Sequence, residues 1–240
     1  MLLSAVALSL ISLAAAASHS SERRTAPQYP SLSITKGFRL VVNVTDPSKD
    51  FHPSIQNTYV SSIHVGPALA LIGQVDSVKR ARIFYQNGTT TDQKDGKSNI
   101  LSDGGSPIFS SGLKLIQDSN SDNISNAYLN GGPGDAGIGI TGSPHPYAFL
   151  QPEAWVACNT SVPYYRGRHF IILKRTKITA ANKSGNVNET SSEGCAPVRL
   201  LPECAELNGL PGGSVSSHDY ALDTPCYSDV KSLVWSRYGL

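Results

Sequence analysis

Hydrophobic and polar residues alternate along several short stretches of the chain, and GFRLVVNVT at residues 37–45 shows this most clearly. The even-numbered residues from Phe38 to Val44 would share one face of a β-strand, because successive side chains of a strand point to opposite faces. That face is apolar and predicts contact with a core. Asn43 lies on the other face, where we expect it to point to solvent.

Further segments have the same strand character and are bounded by Gly, Pro, Asn or Ser. In RARIFYQNGTT (80–90), Ala81, Ile83 and Tyr85 share a face, and Asn87-Gly88 predicts a hairpin turn. The remaining candidate strands are 58–65, 68–75, 112–117, 137–141, 147–151, 154–158 and 169–176. Many short strands separated by turns predict an all-β domain over residues 31–176, with a β-sandwich or related Greek-key architecture.

Other stretches lack this pattern. Residues 86–111 and 118–136 are rich in Asp, Asn, Ser and Gly, which predicts long surface loops. Residues 177–194 have almost no hydrophobic side chains, and we expect a flexible, glycosylated linker there. Residues 195–240 predict a cysteine-rich appendage that is mostly irregular, is tied down by disulfides and contains one short helix within SDVKSLVWSRYG.

The N-terminus has the features of a secretory signal peptide. Residues 1–17 are apolar and end in Ala15-Ala16-Ala17, so we expect cleavage after Ala17. Residues 18–30 then form a propeptide or an unstructured segment, in which Arg23-Arg24 is either a processing site after Arg24 or plain solvated charge. Because no other apolar stretch is long enough to span a bilayer, we predict no integral membrane segment and a secreted protein.

Glycosylation sequons and cysteines favour the same compartment. Six N-x-[ST] sequons occur, at Asn43, Asn87, Asn123, Asn159, Asn182 and Asn188. Four cysteines, an even number, predict two disulfides in an oxidising compartment: Cys158, Cys195, Cys204 and Cys226. Pairing 158 with 195 and 204 with 226 would hold both ends of the tail, and pairing 195 with 204 is the rival.

Charge and motif spacing narrow the classes of function. The net charge is +2 with no basic stripe, so we expect no nucleic-acid partner. GPGDAG at 132–137 matches a dinucleotide-binding pattern, but strand and turn residues follow it where a helix is needed. DSNSDNISNAYL at 118–129 starts like an EF-hand loop but has Asn and Leu where Gly and a carboxylate are required. The histidines show no metal-binding spacing, so we predict neither a cofactor nor a metal.

The stretch QPEAWVACNTSVPYYRGRHFIILKRT at 151–176 holds the candidate ligand-binding residues. They are Trp155, Tyr164, Tyr165, Arg166 and Arg168, which would form a sugar- or carboxylate-binding edge between two strands. The alternative is that Trp155 packs in the core, the tyrosines cap a hairpin and the arginines lie in solvent. Glu153 beside Trp155 is the candidate carboxylate if the protein were a glycosidase.

The segments GFRLVVNVTDPSKDF, SSIHVGPALALIG, ARIFYQNGT and PEAWVAC together resemble a family of uncharacterised secreted proteins from filamentous fungi, over about residues 35–175. The resemblance implies a fungal, extracellular, β-rich protein and supplies no catalytic residue. From the sequons, the expected disulfides and the absence of a catalytic constellation, we hypothesise a non-catalytic secreted or cell-wall-associated glycoprotein that binds a polysaccharide or a host surface. The alternatives are a carbohydrate-active enzyme with unidentified carboxylates and a structural cell-wall protein.

Overall fold

The computed structural model describes residues 29–119, 121–177 and 194–238, except for the side chain of Ser236. Several predictions therefore lie outside the described residues. They concern the signal peptide with Ala17, nearly all of the following segment with Arg24, nearly all of the linker, and the sequons at Asn182 and Asn188.

The described chain is built from strands, which confirms the all-β prediction. In chain order the strands are β1 (Ser33–Thr35), β2 (Gly37–Val44), β3 (Tyr59–Gly66), β4 (Leu69–Val75), β5 (Phe84–Asn87), β6 (Asn99–Gly104), β7 (Phe109–Gln117), β8 (Ile124–Gly131), β9 (Gly139–Ile140), β10 (Leu150–Gln151), β11 (Trp155–Val162), β12 (Arg168–Thr176), β13 (Cys195–Ala205) and β14 (Thr224–Cys226). A short helix α1 spans Thr90–Lys94, and 3-10 turns span Pro47–Lys49, Val78–Arg80, Pro163–Tyr165 and Trp235–Tyr238.

Ten strands form one antiparallel sheet in the order β11-β13-β2-β3-β4-β12-β8-β7-β6-β5. Three additional pairings, β11–β12, β2–β5 and β4–β8, fold this sheet back on itself. They arise because strands change partners along their length: β2 pairs with β5 at Gly37 and Phe38 but with β3 at Val41. The predicted sandwich thus takes the form of one continuous sheet that encloses the core.

The core follows the alternation seen in the sequence. Phe38, Leu40 and Val42 of β2 are fully buried, as expected for one face of a strand that packs inward. Val41 on the opposite face is also fully buried, so β2 is covered on both sides at its centre. The largest side chains that pack with β2 in the main core are Phe84, Ile72, Ile100, Leu113, Leu129, Leu150, Trp155 and Tyr227.

Residues 86–111 and 118–136 are more regular than their composition predicts. They contain α1, β6, the beginning of β7, and β8. Asn87-Gly88 does not form the predicted hairpin turn, because Thr89 caps α1 instead: its hydroxyl accepts from the Asp92 amide, and the Asp92 carboxylate accepts from the Thr89 amide. The strand β6 is buried although it carries polar side chains. Its buried Ser102 hydroxyl is satisfied because it donates to the carbonyl of Ile83 at 2.8 Å.

The C-terminal region contributes to the sheet itself. β13 lies between β11 and β2 and pairs with β2 over its last eight residues, from Val198 to Ala205. The main sheet therefore extends past the predicted boundary at residue 176. The short helix predicted near the end of the tail is a single 3-10 turn at Trp235–Tyr238.

The two disulfides join Cys158 to Cys195 and Cys204 to Cys226, which confirms the predicted pairing over its rival. Cys158 and Cys195 lie directly opposite each other in β11 and β13. The second disulfide fixes β14 beside β13, and β14 in turn pairs with β1. The tail is therefore tied to the sheet by covalent bonds and by strand pairing.

Candidate functional site

The connection between β11 and β12 places two tyrosines on the surface. β11 ends at the buried Val162, and a 3-10 turn follows over Pro163–Tyr165. Arg166 adopts the left-handed conformation with φ 55°, and Gly167 follows with φ 81°. The Gly167 amide donates to the Val162 carbonyl at 3.1 Å, which closes the turn and starts β12. The 3-10 turn thus presents its tyrosines at one end of the sheet.

Four rings meet at this end, and we call them, together with Arg168, the aromatic surface. The distances between ring centroids are 5.4 Å from His64 of β3 to Tyr164, 5.3 Å from Tyr164 to Tyr165, and 5.0 Å from Tyr165 to Phe170 of β12. The ring planes are inclined by 87°, 69° and 56°, which are edge-to-face or tilted contacts. Tyr164 is 55% exposed and Tyr165 is 37% exposed. The result is a ridged aromatic surface that is open to solvent.

A second, smaller core supports the aromatic surface from below. Ile63, Leu71, Val162 and Ile172 form it, and Phe170 packs against them. The exposed rings are therefore continuous, through Phe170, with buried side chains of four strands. Such support restricts the rotamers of the rings and lowers the entropy lost when a ligand binds.

The aromatic surface carries positive charge. The guanidinium carbon of Arg168 lies 5.4 Å from the centroid of the Phe170 ring, within the range of a cation–π contact. Arg166 is exposed at the turn. Within the described residues, neither arginine takes part in an ion pair. Both side chains are therefore available to an anionic or hydroxyl-rich ligand.

The sequon at Asn159 lies on the other face of the strand pair. Thr160 is opposite Phe170 and Ser161 is opposite His169, so Phe170 and Asn159 point to different sides of the sheet. The Asn159 Oδ1 atom is 3.0 Å from Nδ1 of His169, on that other side. A glycan at Asn159 would leave the aromatic surface accessible.

The structure does not bring Trp155 or Glu153 to the aromatic surface. Trp155 is 2% exposed and packs in the main core. The Glu153 Oε1 atom accepts hydrogen bonds at 2.7 Å from the Arg199 guanidinium, which also lies 4.7 Å above the Phe149 ring. Of the sequence-predicted ligand residues, Tyr164, Tyr165 and Arg168 therefore belong to the aromatic surface. Arg166 is exposed in the same turn, and Trp155 lies in the core.

The candidate cofactor and metal motifs have structural roles. Asp135 of the glycine-rich segment accepts from the Leu115 amide at 2.8 Å, and a Cβ at Gly134 would meet the Ile100 carbonyl at 2.9 Å. The segment therefore packs closely against the sheet. Asp118 of the EF-hand-like segment forms an ion pair with Lys174 at 3.3 Å. Among the described residues, no three or more His, Cys, Asp or Glu side chains are grouped to hold a metal ion.

A polar cluster that the sequence does not reveal surrounds Asp103. His218 Nε2 lies 2.6 Å from Asp103 Oδ2, and the Ser216 hydroxyl donates to Oδ1. The hydroxyls of Tyr85 and Ser110 lie 3.2 and 3.4 Å from Oδ1. Burial raises the pKa of Tyr85, which keeps its hydroxyl protonated. No motif signals this cluster, because 115 residues separate Asp103 from His218.

The arrangement around Asp103 differs from a nucleophilic triad. In such a triad the imidazole bridges a serine and a carboxylate. Here the Ser216 hydroxyl bonds directly to the carboxylate of Asp103 and not to the imidazole of His218. The Ser110 hydroxyl bonds to the Asp103 carboxylate and to the Ser216 hydroxyl. The cluster links β6 and β7 to the segment around Ser216 and His218, so its hydrogen bonds hold this C-terminal segment against the sheet.

The fold and the aromatic surface define a disulfide-bonded, all-β protein with a group of exposed aromatic rings beside exposed arginines. The chain belongs to the DUF7907 family, described as a domain of unknown function, whose model matches residues 35–204. It is similar to the antigenic protein SchS34 of Stachybotrys chartarum, with 49% identity over 217 residues, 90% of this chain and 97% of the relative. The resemblance to an uncharacterised fungal family is thus confirmed. No solved structure matches the chain.

Proposed function

We propose that this protein is a secreted, non-catalytic glycoprotein that binds a polysaccharide of a cell wall or host surface through the aromatic surface. The observation that carries the proposal is the set of exposed, mutually supported rings at one end of the sheet, next to two arginines without ion pairs among the described residues. Exposed aromatic and charged side chains on a loop held by a rigid scaffold are typical of binding sites.

The inclination of the rings bears on the kind of polysaccharide. A flat crystalline face would need coplanar rings, whereas neighbouring planes here differ by 56° to 87°. Inclined rings suit a single, twisted chain whose successive sugars present different faces. The apolar face of a pyranose packs on one tyrosine, and the next sugar meets the neighbouring ring. We therefore favour an accessible glycan chain over a crystalline surface.

The arginines bear on the charge of the ligand. A guanidinium group donates several hydrogen bonds in a fixed plane and pairs well with carboxylate or phosphate groups. Arg166 and Arg168 lie beside the rings and are both exposed. A polysaccharide that carries uronic acid or phosphate groups would therefore bind more tightly than its neutral counterpart.

The secretory part of the proposal rests on the sequence and the disulfides. The apolar N-terminal segment, the sequons and two disulfides all belong to proteins of oxidising compartments. Within the described residues no helix is long and apolar enough to cross a membrane. The relative SchS34 is named an antigenic protein, which fits a protein that meets other organisms from outside the fungal cell.

The test is a pull-down of the purified, secreted protein on insoluble chitin, β-glucan and mannan and on an immobilised acidic polysaccharide, with released reducing sugar assayed in the same tubes. We expect retention on at least one polymer without sugar release, strongest on the acidic one at low salt. Sugar release would contradict the non-catalytic claim and favour the carbohydrate-active enzyme. If the protein is not retained on any polymer and releases no sugar, a structural cell-wall protein would be favoured.

A further inference from the structure

A cavity of about 560 Å³ lies beside Asn43, at the end of β2. Its wall includes Thr45, Arg199 and Trp235. Arg199 is the register partner of Asn43 in β13, so the two side chains are neighbours on the same face. This volume falls within the range of about 300–1,000 Å³ that is typical of small-molecule sites. An N-x-[ST] asparagine therefore stands in the wall of a cavity large enough for a sugar.

Asn43 is oriented by its oxygen and not by its nitrogen. Gln56 donates from Nε2 to Asn43 Oδ1 at 3.1 Å, and the Gln56 Oε1 atom accepts from the Val44 amide at 2.6 Å. Gln56 is thus fixed at both ends of its amide. No hydrogen bond among the described residues uses Asn43 Nδ2, the atom to which an N-glycan is attached. The fold holds the asparagine while leaving its attachment atom available.

Trp235 supplies an aromatic wall. Its ring is partly buried and is held by edge contacts with Tyr227 at 5.7 Å and Tyr238 at 6.4 Å. Such contacts fix the plane of the indole. Around it the cavity also has polar groups at its margin, including Asp50, whose carboxylate is already bonded to the Ser54 hydroxyl. An apolar ring with polar groups around it is the composition typical of a small-molecule site.

We propose that Asn43 carries an N-glycan and that its first N-acetylglucosamine occupies this cavity, packed against Trp235 as an intramolecular ligand. In the attachment step, the bond from C1 of the glycan to the diphosphate of a lipid-linked donor breaks. A bond from C1 to Nδ2 forms, and Nδ2 loses one proton. The inference rests on the secretory route of the proposed function but is independent of the aromatic surface. Its consequence is that this glycan stabilises the fold.

The experiment compares Thr45→Ala, which removes the sequon, with Thr45→Ser, which keeps it. Thr45 is exposed, and its side chain makes no hydrogen bond within the described residues, so both changes are mild. Both variants are produced in a glycosylating eukaryotic host and in a bacterial host that adds no glycan. We expect Thr45→Ala to have a Tm about 2–4 °C below that of Thr45→Ser in the first host, and no difference in the second.

Acrylamide quenching of tryptophan fluorescence gives a second measurement. The chain has two tryptophans, and Trp155 is 2% exposed, so a change in quenching reports on Trp235. When both variants are produced in the glycosylating host, we expect acrylamide to quench Trp235 more strongly in Thr45→Ala than in Thr45→Ser, because Thr45→Ala lacks the glycan that covers the ring. A matched control removes the sequon at the exposed Asn123 by Asn123→Gln, and we expect it to change neither quenching nor Tm.

Mass spectrometry of the Asn43 peptide separates the outcomes. An unmodified Asn43 with sugar at Asn123 would overturn this inference and leave the secretory proposal intact. A protein without sugar at any sequon would overturn this inference and count against the secretory proposal too. A glycan at Asn43 whose removal changes neither Tm nor Trp235 quenching would overturn its placement in the cavity.

Discussion

The disulfide between Cys158 and Cys195 gives a prediction whose magnitude follows from the structure. It joins two strands at directly opposed positions, with a Cα–Cα distance of 4.1 Å, and closes a loop with a sequence separation of 37. The chain-entropy relation gives about 4 kcal/mol for a loop of this length at 25 °C, because the bond restricts the unfolded chain. We expect the double variant Cys158→Ala/Cys195→Ala to lose about this free energy of unfolding.

Urea unfolding followed by far-UV circular dichroism measures the loss. A thermal melt gives a second measurement. At about 2–4 °C per kcal/mol for a chain of this size, the Tm should fall by roughly 8–16 °C. The slope of free energy against urea should rise, since the unfolded chain without the bond is more expanded. The matched control, Cys204→Ala/Cys226→Ala, opens a loop with a separation of 22 and should cost about 3 kcal/mol.

A loss below about 1 kcal/mol with an unchanged slope would refute the reasoning on the first disulfide. It would mean that pairing of β11 with β13 persists in the unfolded chain and already restrains it at this point. If the free energy of unfolding falls much more on opening the shorter loop than on opening the longer one, the loop-length argument is refuted. The chain-entropy relation assigns the larger loss to the longer loop.

Three further predictions concern single side chains. Burial raises the pKa of Tyr227 to about 12, so folded protein should lose stability as the pH rises through about 10 to 12. Tyr227→Phe should be spared about 2 kcal/mol of the loss between pH 9 and pH 11.5, measured by urea unfolding; an equal loss would contradict the assignment. Thr89→Ala removes the cap of α1 and should cost about 1 kcal/mol in the same assay, whereas an unchanged midpoint would contradict the capping role. Gly73→Ala would place a Cβ 2.9 Å from the Ile171 carbonyl and should cost about 1–3 kcal/mol; an unchanged Tm would show that β4 and β12 can separate there.

The strands that could be predicted are those with clear alternation between apolar and polar residues. β2 and the β11–β12 pair follow this pattern, and the tyrosines between the latter two strands lie where a hairpin connection requires. The polar strand β6 was hidden because its buried groups are satisfied by distant partners. Ser102 bonds to the Ile83 carbonyl, and Asp103 bonds to residues of the tail. Composition alone does not reveal such partners.

β13 was missed because it contains two prolines, which are rare inside sheets. Pro197 lies one residue before the β13–β2 ladder begins at Val198, and Pro202 lies inside that ladder, opposite Leu40. The Pro197 carbonyl accepts from the Thr45 amide just beyond β2, and the Pro202 carbonyl accepts from the Tyr227 amide on the side away from β2. The missing N–H groups therefore interrupt no continuous ladder. His64, the fourth ring of the aromatic surface, was also unpredictable, because strand pairing brings it there from β3.

The most direct test of the proposed function is an equilibrium binding measurement on the polysaccharide that retains the wild-type protein. Tyr164→Ala would be compared with Tyr220→Ala, because Tyr220 is also an exposed tyrosine, 63% exposed, and is not part of the aromatic surface. We predict that Tyr164→Ala weakens binding at least about tenfold, or about 1.4 kcal/mol, and that Tyr220→Ala leaves it unchanged. Equal affinity of the two variants would contradict binding at the aromatic surface.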